Sequence, residues 1–281
     1  MFAKLLKHEF RSNALALSIL STATVGVGIM AGFLLRLLIH YSDSFFDMSE
    51  SGEALYAVIM SGSVMSLVFC VFAMFGCFVA TGIILLIRYY RSRFTDQGYL
   101  TFTLPVNTHQ IFLSSFLNSL IWLAIAYAAL MIGAVLAMVI ATVGTEYSPS
   151  DLTDYFRASG VNVPVGYQAV NVIYTVVSTV YTIVIAMTCV TLASTWVKRH
   201  RILLAFGLYY GVSQIVGTLE SLLSVLTVID IGSDYWLYSD LSAIYDEAIV
   251  PTVLMITAEL ALTVGGYILS TQLMKKKLNL S

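Results

Sequence analysis

The chain has 281 residues, 59% of them hydrophobic and 11% charged, with a formal net charge of −2. A soluble globule carries about a quarter charged residues, so the composition excludes one and calls for a bilayer. The small net charge gives no reason to expect a nucleic-acid partner. A hydrocarbon core of about 30 Å needs about 20 apolar residues per helix, and six segments supply them: 14–39, 56–87, 111–143, 168–197, 202–229 and 250–274. The expectation is an all-α integral membrane protein with six transmembrane helices in a single domain over residues 1–281. The runs lack the alternation of about ten residues that marks an outer-membrane barrel. The first run is also too long for a cleavable signal and is closed by no small-residue cleavage site.

Twelve of the fourteen Lys and Arg residues stand at alternate ends of the spans: Lys4, Lys7, Arg11; Arg88, Arg91, Arg93; Lys198, Arg199, Arg201; Lys275, Lys276, Lys277. The other connections hold twelve of the sixteen acids and one basic residue, Arg157. By the positive-inside rule both termini and the 88–110 loop are cytoplasmic.

Residues 1–12, MFAKLLKHEFRS, read as a short amphipathic elbow helix in the cytoplasmic interface, with Phe2, Leu5, Leu6 and Phe10 on one side and Lys4, Lys7, His8 and Arg11 on the other. Glu9 falls within the apolar face; either the basic end of span two pairs with it or it reaches water at the helix edge. Arg36, near the outer end of span one, can snorkel to the headgroups.

Spans two and three run to 32 and 33 residues, about 50 Å each at 1.5 Å per residue. Tilt absorbs part of that excess; the rest carries the 88–110 loop off the lipid. In that loop Gly98 can break a helix, Pro105 holds Leu104 extended, and Asn107-Thr108 can cap span three. Tyr99, Leu100, Phe102 and Leu104 are too apolar for a solvated linker and ask for a protein cover.

Span four shows Asn171, Tyr174, Thr175, Ser178, Tyr181 and Thr182 at helical spacing. This polar and aromatic face either lines a substrate path or packs helices through small hydroxyl residues. Span five carries Gly207-x-x-x-Gly211, a close-packing pattern, and beyond it residues 217–249 read as short outer-leaflet helices with Tyr235, Trp236 and Tyr238 as interfacial anchors. Span six is expected to start at Pro251, a favoured first-turn residue. Glu220 and Glu259 lie at similar depth, about 12–15 Å in from the outer ends. Intramembrane carboxylates are functional candidates by default; the alternatives are a structural cluster with Arg36 or a carboxyl carrying a proton.

Cys70, Cys77 and Cys189 sit inside apolar runs without metal or disulfide spacing and read as small apolar residues. The phosphate loop, H-E-x-x-H and G-x-S-x-G are absent from the sequence. His8, His40, His109 and His200 are scattered near span ends, which argues against a metal or haem site. No enzyme activity and no cofactor is expected on this chain.

The N-terminal KLLKHEFRS followed by six spans, and above all FTDQGYLTFTLPVNTHQIFLSSFLNSLIW at Phe94–Trp122, resembles permease subunits of the type-2 ATP-binding-cassette transporters of Gram-positive bacteria. The topology matches along the whole chain and the specific wording over about thirty residues. The resemblance implies a multi-pass protein of the bacterial cell membrane, usually an exporter. It also implies an elbow helix at 1–12 that includes Glu9, and a coupling helix in 88–110 that docks on a separate ATPase subunit, with Asp96, Gly98, Tyr99, Leu100, Phe102, Leu104 and Pro105 at the contact. The ATPase would bring ATP and Mg, and a second permease chain, identical or paralogous, would complete the path. The acidic, aromatic outer connections favour cationic or amphipathic peptides as substrate. Two readings stand beside this one: an ion-coupled secondary carrier using Glu220 and Glu259, although no internal repeat is found, and a non-transporting receptor or immunity protein.

Overall fold

The computed structural model describes residues 2–43, 50–95, 107–143, 164–197, 200–234 and 241–278. These form six helices and, among the described residues, no strand: α1 (Phe2–Asp43), α2 (Glu50–Phe94), α3 (Thr108–Thr142), α4 (Val165–Trp196), α5 (Arg201–Asp234) and α6 (Leu241–Leu278). Each contains a stretch long and apolar enough to cross a membrane: Lys4–His40, Val58–Phe94, Thr108–Thr142, Val165–Trp196, Arg201–Leu223 and Ile249–Lys275. In hydrocarbon every backbone polar group must bond within its own helix. The hydroxyls in these runs obey the same rule by bonding carbonyls one turn back, as in Ser21 to Leu17 O (2.9 Å), Ser63 to Ile59 O (2.7 Å) and Thr81 to Cys77 O (3.0 Å).

The helices run further than the apolar runs do. Residues 2–12 are the first turns of one continuous α1, with Lys4, Lys7, His8 and Arg11 exposed and Phe2, Leu5, Leu6, Glu9 and Phe10 half-buried. The 217–249 region does not break into separate short helices among the described residues: α5 continues to Asp234 and α6 begins at Leu241. Residues 235–240, with Tyr235, Trp236 and Tyr238, lie outside the described set. Pro251 is therefore interior to α6, not at its start. The helix-compatible sequence LSAIYDEAIV propagates the helix ahead of it, at the cost of the one backbone bond that proline cannot donate.

The chain divides into two compact units: Met1–Leu5, Leu86–Leu117 and Gly160–Ser281 form one, and Leu6–Leu85 with Asn118–Ser159 the other. α2 and α3 each contribute to both.

The second unit is held by a close crossing of α1 and α3. A Cβ on Gly28 would stand 2.6 Å from the Cα and carbonyl oxygen of Gly133, and one on Gly32 would stand 2.9 Å from the same atoms of Ala137. Gly28-x-x-x-Gly32 thus lies on Gly133-x-x-x-Ala137, the small-residue geometry that lets membrane helices approach closely. The Gly207-x-x-x-Gly211 pattern does not do this: a Cβ at either position meets nothing within 4 Å, because that face of α5 has no described neighbour. At one end of this unit Phe10 stacks on Trp122 at 4.8 Å, over a core of Leu17, Leu85 and Trp122. The apolar side of the first turns is therefore covered in part by protein.

In the first unit α4 is the central helix. Of its most apolar 18-residue window 61% is buried, against 22% or less in each of the other five. α6 packs along it in parallel: Ser178 meets Glu259, and ten residues further on Thr188 meets Ser270. The residues that meet, Ser178, Ile185 and Thr188 on α4 and Glu259, Gly266 and Ser270 on α6, repeat at heptad-like spacing, as left-handed helix packing requires. Gly266 makes the approach possible, since a Cβ there would lie 3.0 Å from Thr188 Oγ1. α5 closes the other side through Leu208, Tyr209, Val212 and Val216, packed on Tyr181, Ile185 and Cys189.

Candidate functional site

Along the face of α4 the polar groups fall at spacings of four and three, so Tyr174, Ser178 and Tyr181 project toward α5 and α6. The Tyr174 hydroxyl donates to Glu220 Oε1 on α5 at 2.9 Å. Ser178 lies within reach of Glu259 on α6 and of Tyr174. Tyr181, one turn further along, lies within electrostatic reach of both carboxylates and packs against Tyr209 of α5. The result is one cluster: Tyr174, Ser178, Tyr181, Glu220 and Glu259, from three helices of a single unit.

Exposure is graded within it. Tyr174, Ser178 and Glu220 are half-buried, whereas Glu259 is only 1% exposed and Tyr181 8%. Glu259 Oε2 and the Tyr181 hydroxyl are buried without a hydrogen-bond partner. A carboxylate withdrawn from water with one oxygen unmatched is costly, and an ionisable residue inside an apolar span is a candidate functional group.

The other residues of the expected α4 face go elsewhere. Asn171 Nδ2 donates to Tyr167 O at 3.2 Å, and Thr175 and Thr182 are exposed, Thr175 bonding Asn171 O at 2.8 Å. Arg36 is exposed on α1, within the other unit. Asp96, Gly98, Tyr99, Leu100, Phe102, Leu104 and Pro105 lie outside the described residues, whose two flanks are α2 and α3.

Those flanks carry a second polar group of contacts. Arg93, near the end of α2, is 2% exposed, and its guanidinium donates to Ser115 Oγ at 2.7 Å and Ile111 O at 3.3 Å on α3. Tyr89 and Thr191 of α4 share a hydrogen bond at 3.1 Å. His109 Nδ1 and the Tyr267 hydroxyl of α6 lie 2.9 Å apart, with Phe112 edge-on to the Tyr267 ring at 5.4 Å. Asn107 O accepts from the backbone N–H groups of Gln110 and Ile111 at 2.9 and 3.2 Å, so the first turn of α3 opens at Asn107-Thr108. Between the two groups, Thr188 bonds Gly266 O at 3.2 Å and Ser270 at 2.9 Å. A run of α4–α6 contacts thus joins the carboxylates to the helix ends that bracket residues 96–106. The sequence shows Arg93 and His109 as polar residues at span ends, but nothing in its periodicity tells which helices they tie.

The fold and the cluster together define a six-helix, multi-pass membrane protein with two carboxylates inside its spans. No protein-family model matches the chain, and no curated protein or solved structure is found similar to it.

Proposed function

We propose that this chain is the membrane-spanning permease subunit of an ATP-binding-cassette exporter in a bacterial cell membrane. It would move an amphipathic or hydrophobic substrate, taken as a peptide, outward. A separate ATPase subunit holding ATP and Mg docks on 88–110, and a second permease chain, identical or paralogous, completes the path. The observation that carries this reading is Arg93. A buried guanidinium pins the end of α2 to the start of α3, and Tyr89–Thr191 and His109–Tyr267 pin those two ends to α4 and α6. A push on the intervening loop is then delivered to α4 and to α6, which carries Glu259, since packed helices shift as bodies rather than deform. The apolar content of Tyr99–Leu104 and the resemblance over Phe94–Trp122 supply the partner.

Leu100→Asp and Phe102→Asp test it. Each stops transport and releases the ATPase while the protein stays folded. Normal ATPase binding in both variants refutes the docking assignment. The ion-coupled carrier reading is favoured by one observation, the unmatched buried oxygen of Glu259. Transport abolished by an ionophore yet indifferent to ATP would select it.

A further inference from the structure

We propose that the Glu259–Glu220 cluster is a binding site for a primary ammonium group carried on an apolar body. This goes beyond the ATP-driven reading and does not depend on it, since binding needs no ATPase. The two carboxylates set the sign of the ligand. The two buried atoms without partners, Glu259 Oε2 and the Tyr181 hydroxyl oxygen, set its hydrogen-bonding. Both can accept, and Glu220, reached from the half-buried side, supplies a further acceptor. An alkylammonium head has three N–H donors and no acceptor, which matches that set. The rings of Tyr174, Tyr181 and Tyr209 add faces on which a cation is attracted.

A divalent or alkali ion fits less well. Such ions take about six or more oxygens, and among the described residues no three His, Cys, Asp or Glu side chains converge. The backbone carbonyls of α4, α5 and α6 are engaged in their helices, and the Tyr174 hydroxyl is spent on Glu220. The location sets the rest of the ligand: the cluster lies within spans whose outer faces are apolar, among them Val172, Ile173, Val176, Leu219 and Leu222. An amphiphile reaches it and a hydrated ion does not.

The test uses the full chain in phosphatidylcholine nanodiscs, titrated with dodecylammonium and followed by calorimetry, with empty discs subtracted. One saturable site is expected, weakened at least tenfold by Glu259→Gln and several-fold by Tyr181→Phe. Dodecyltrimethylammonium, which lacks N–H donors, binds at least threefold more weakly, and dodecanol does not bind. Should Glu259→Gln fail to assemble, Glu220→Gln and Tyr181→Phe carry the comparison. Equal binding of dodecanol overturns the proposal, as does affinity untouched by all three substitutions. Displacement of the amine by sodium at equal concentration, or a heat signal that follows proton release alone, overturns it in favour of a metal ion or a proton. Replacing the lipid with phosphatidylethanolamine identifies the source of the amine: lowered apparent affinity points to a lipid headgroup and unchanged affinity to a peptide amine, and either supports the site.

Discussion

The Tyr174 hydroxyl and Glu220 Oε1, 2.9 Å apart, join α4 to α5 across 46 residues of sequence, and the bond sits at the half-buried side of the carboxylate cluster. Removing the donor leaves Glu220 able to reorient, so the cost should stay near the membrane average for interhelical hydrogen bonds, about 0.6 kcal/mol. It should not reach the roughly 1.5–3 kcal/mol of a fully enclosed bond to a charge. Tyr174→Phe is expected to lower unfolding stability by about 0.5–1 kcal/mol. A double-mutant cycle with Glu220→Met, which removes the acceptor, measures the coupling; a coupling of zero would mean the two residues do not interact in the folded protein.

The α1–α3 crossing predicts opposite outcomes for two glycine patterns that look alike in sequence. Gly28→Ala places a methyl 2.6 Å from the Gly133 backbone, where no side chain can yield, and overpacking of that kind costs about 1–3 kcal/mol. Gly207→Ala meets nothing within 4 Å and gains up to about 1 kcal/mol in helix propensity. Thermal unfolding of the two variants in the same detergent should move in opposite directions.

Arg93→Met removes the tie between α2 and α3 while keeping an apolar stem of similar length. On the proposed function, the variant still recruits the ATPase but transports at least tenfold less, because ATP hydrolysis is no longer delivered to α4 and α6. Arg93→Lys should restore part of the coupling, since both bonds leave one nitrogen, Nη2, and a lysine ammonium offers three N–H donors. ATPase rate and transport measured on one preparation separate the two effects.

His200 holds φ at 61° immediately before α5, the left-handed region that costs an L-residue about 1–2 kcal/mol. His200→Gly should therefore leave stability unchanged or raise it by up to about 1 kcal/mol, whereas the β-branched His200→Val should lower it. Chemical denaturation of both variants checks the ordering.

Much of this architecture is written in the hydrophobic runs. Six spans follow from run length alone, and counting residues inward places Glu220 and Glu259 at one depth, in keeping with their shared Tyr174–Ser178–Tyr181 face. What stays hidden in the sequence is which faces meet. Gly28-x-x-x-Gly32 and Gly207-x-x-x-Gly211 carry the same small-residue pattern, yet only the first finds a backbone opposite it. Arg93 reads as one of three cations at a span end, and its burial depends on Ser115 and Ile111, which come into reach only when α3 folds back beside α2. Hydropathy misplaces the helix ends for a related reason. It drops where the bilayer ends, but the helix continues through polar residues, so Pro251 is interior to α6 and α5 runs on to Asp234.

The central claim is that this chain is driven by an ATPase docked on 88–110, and purification of the affinity-tagged chain from its native membranes tests it most directly. The account predicts that an ATP-binding-cassette ATPase copurifies in stoichiometric amount and is lost on Leu100→Asp. A folded, transport-competent chain that purifies with no ATPase contradicts it.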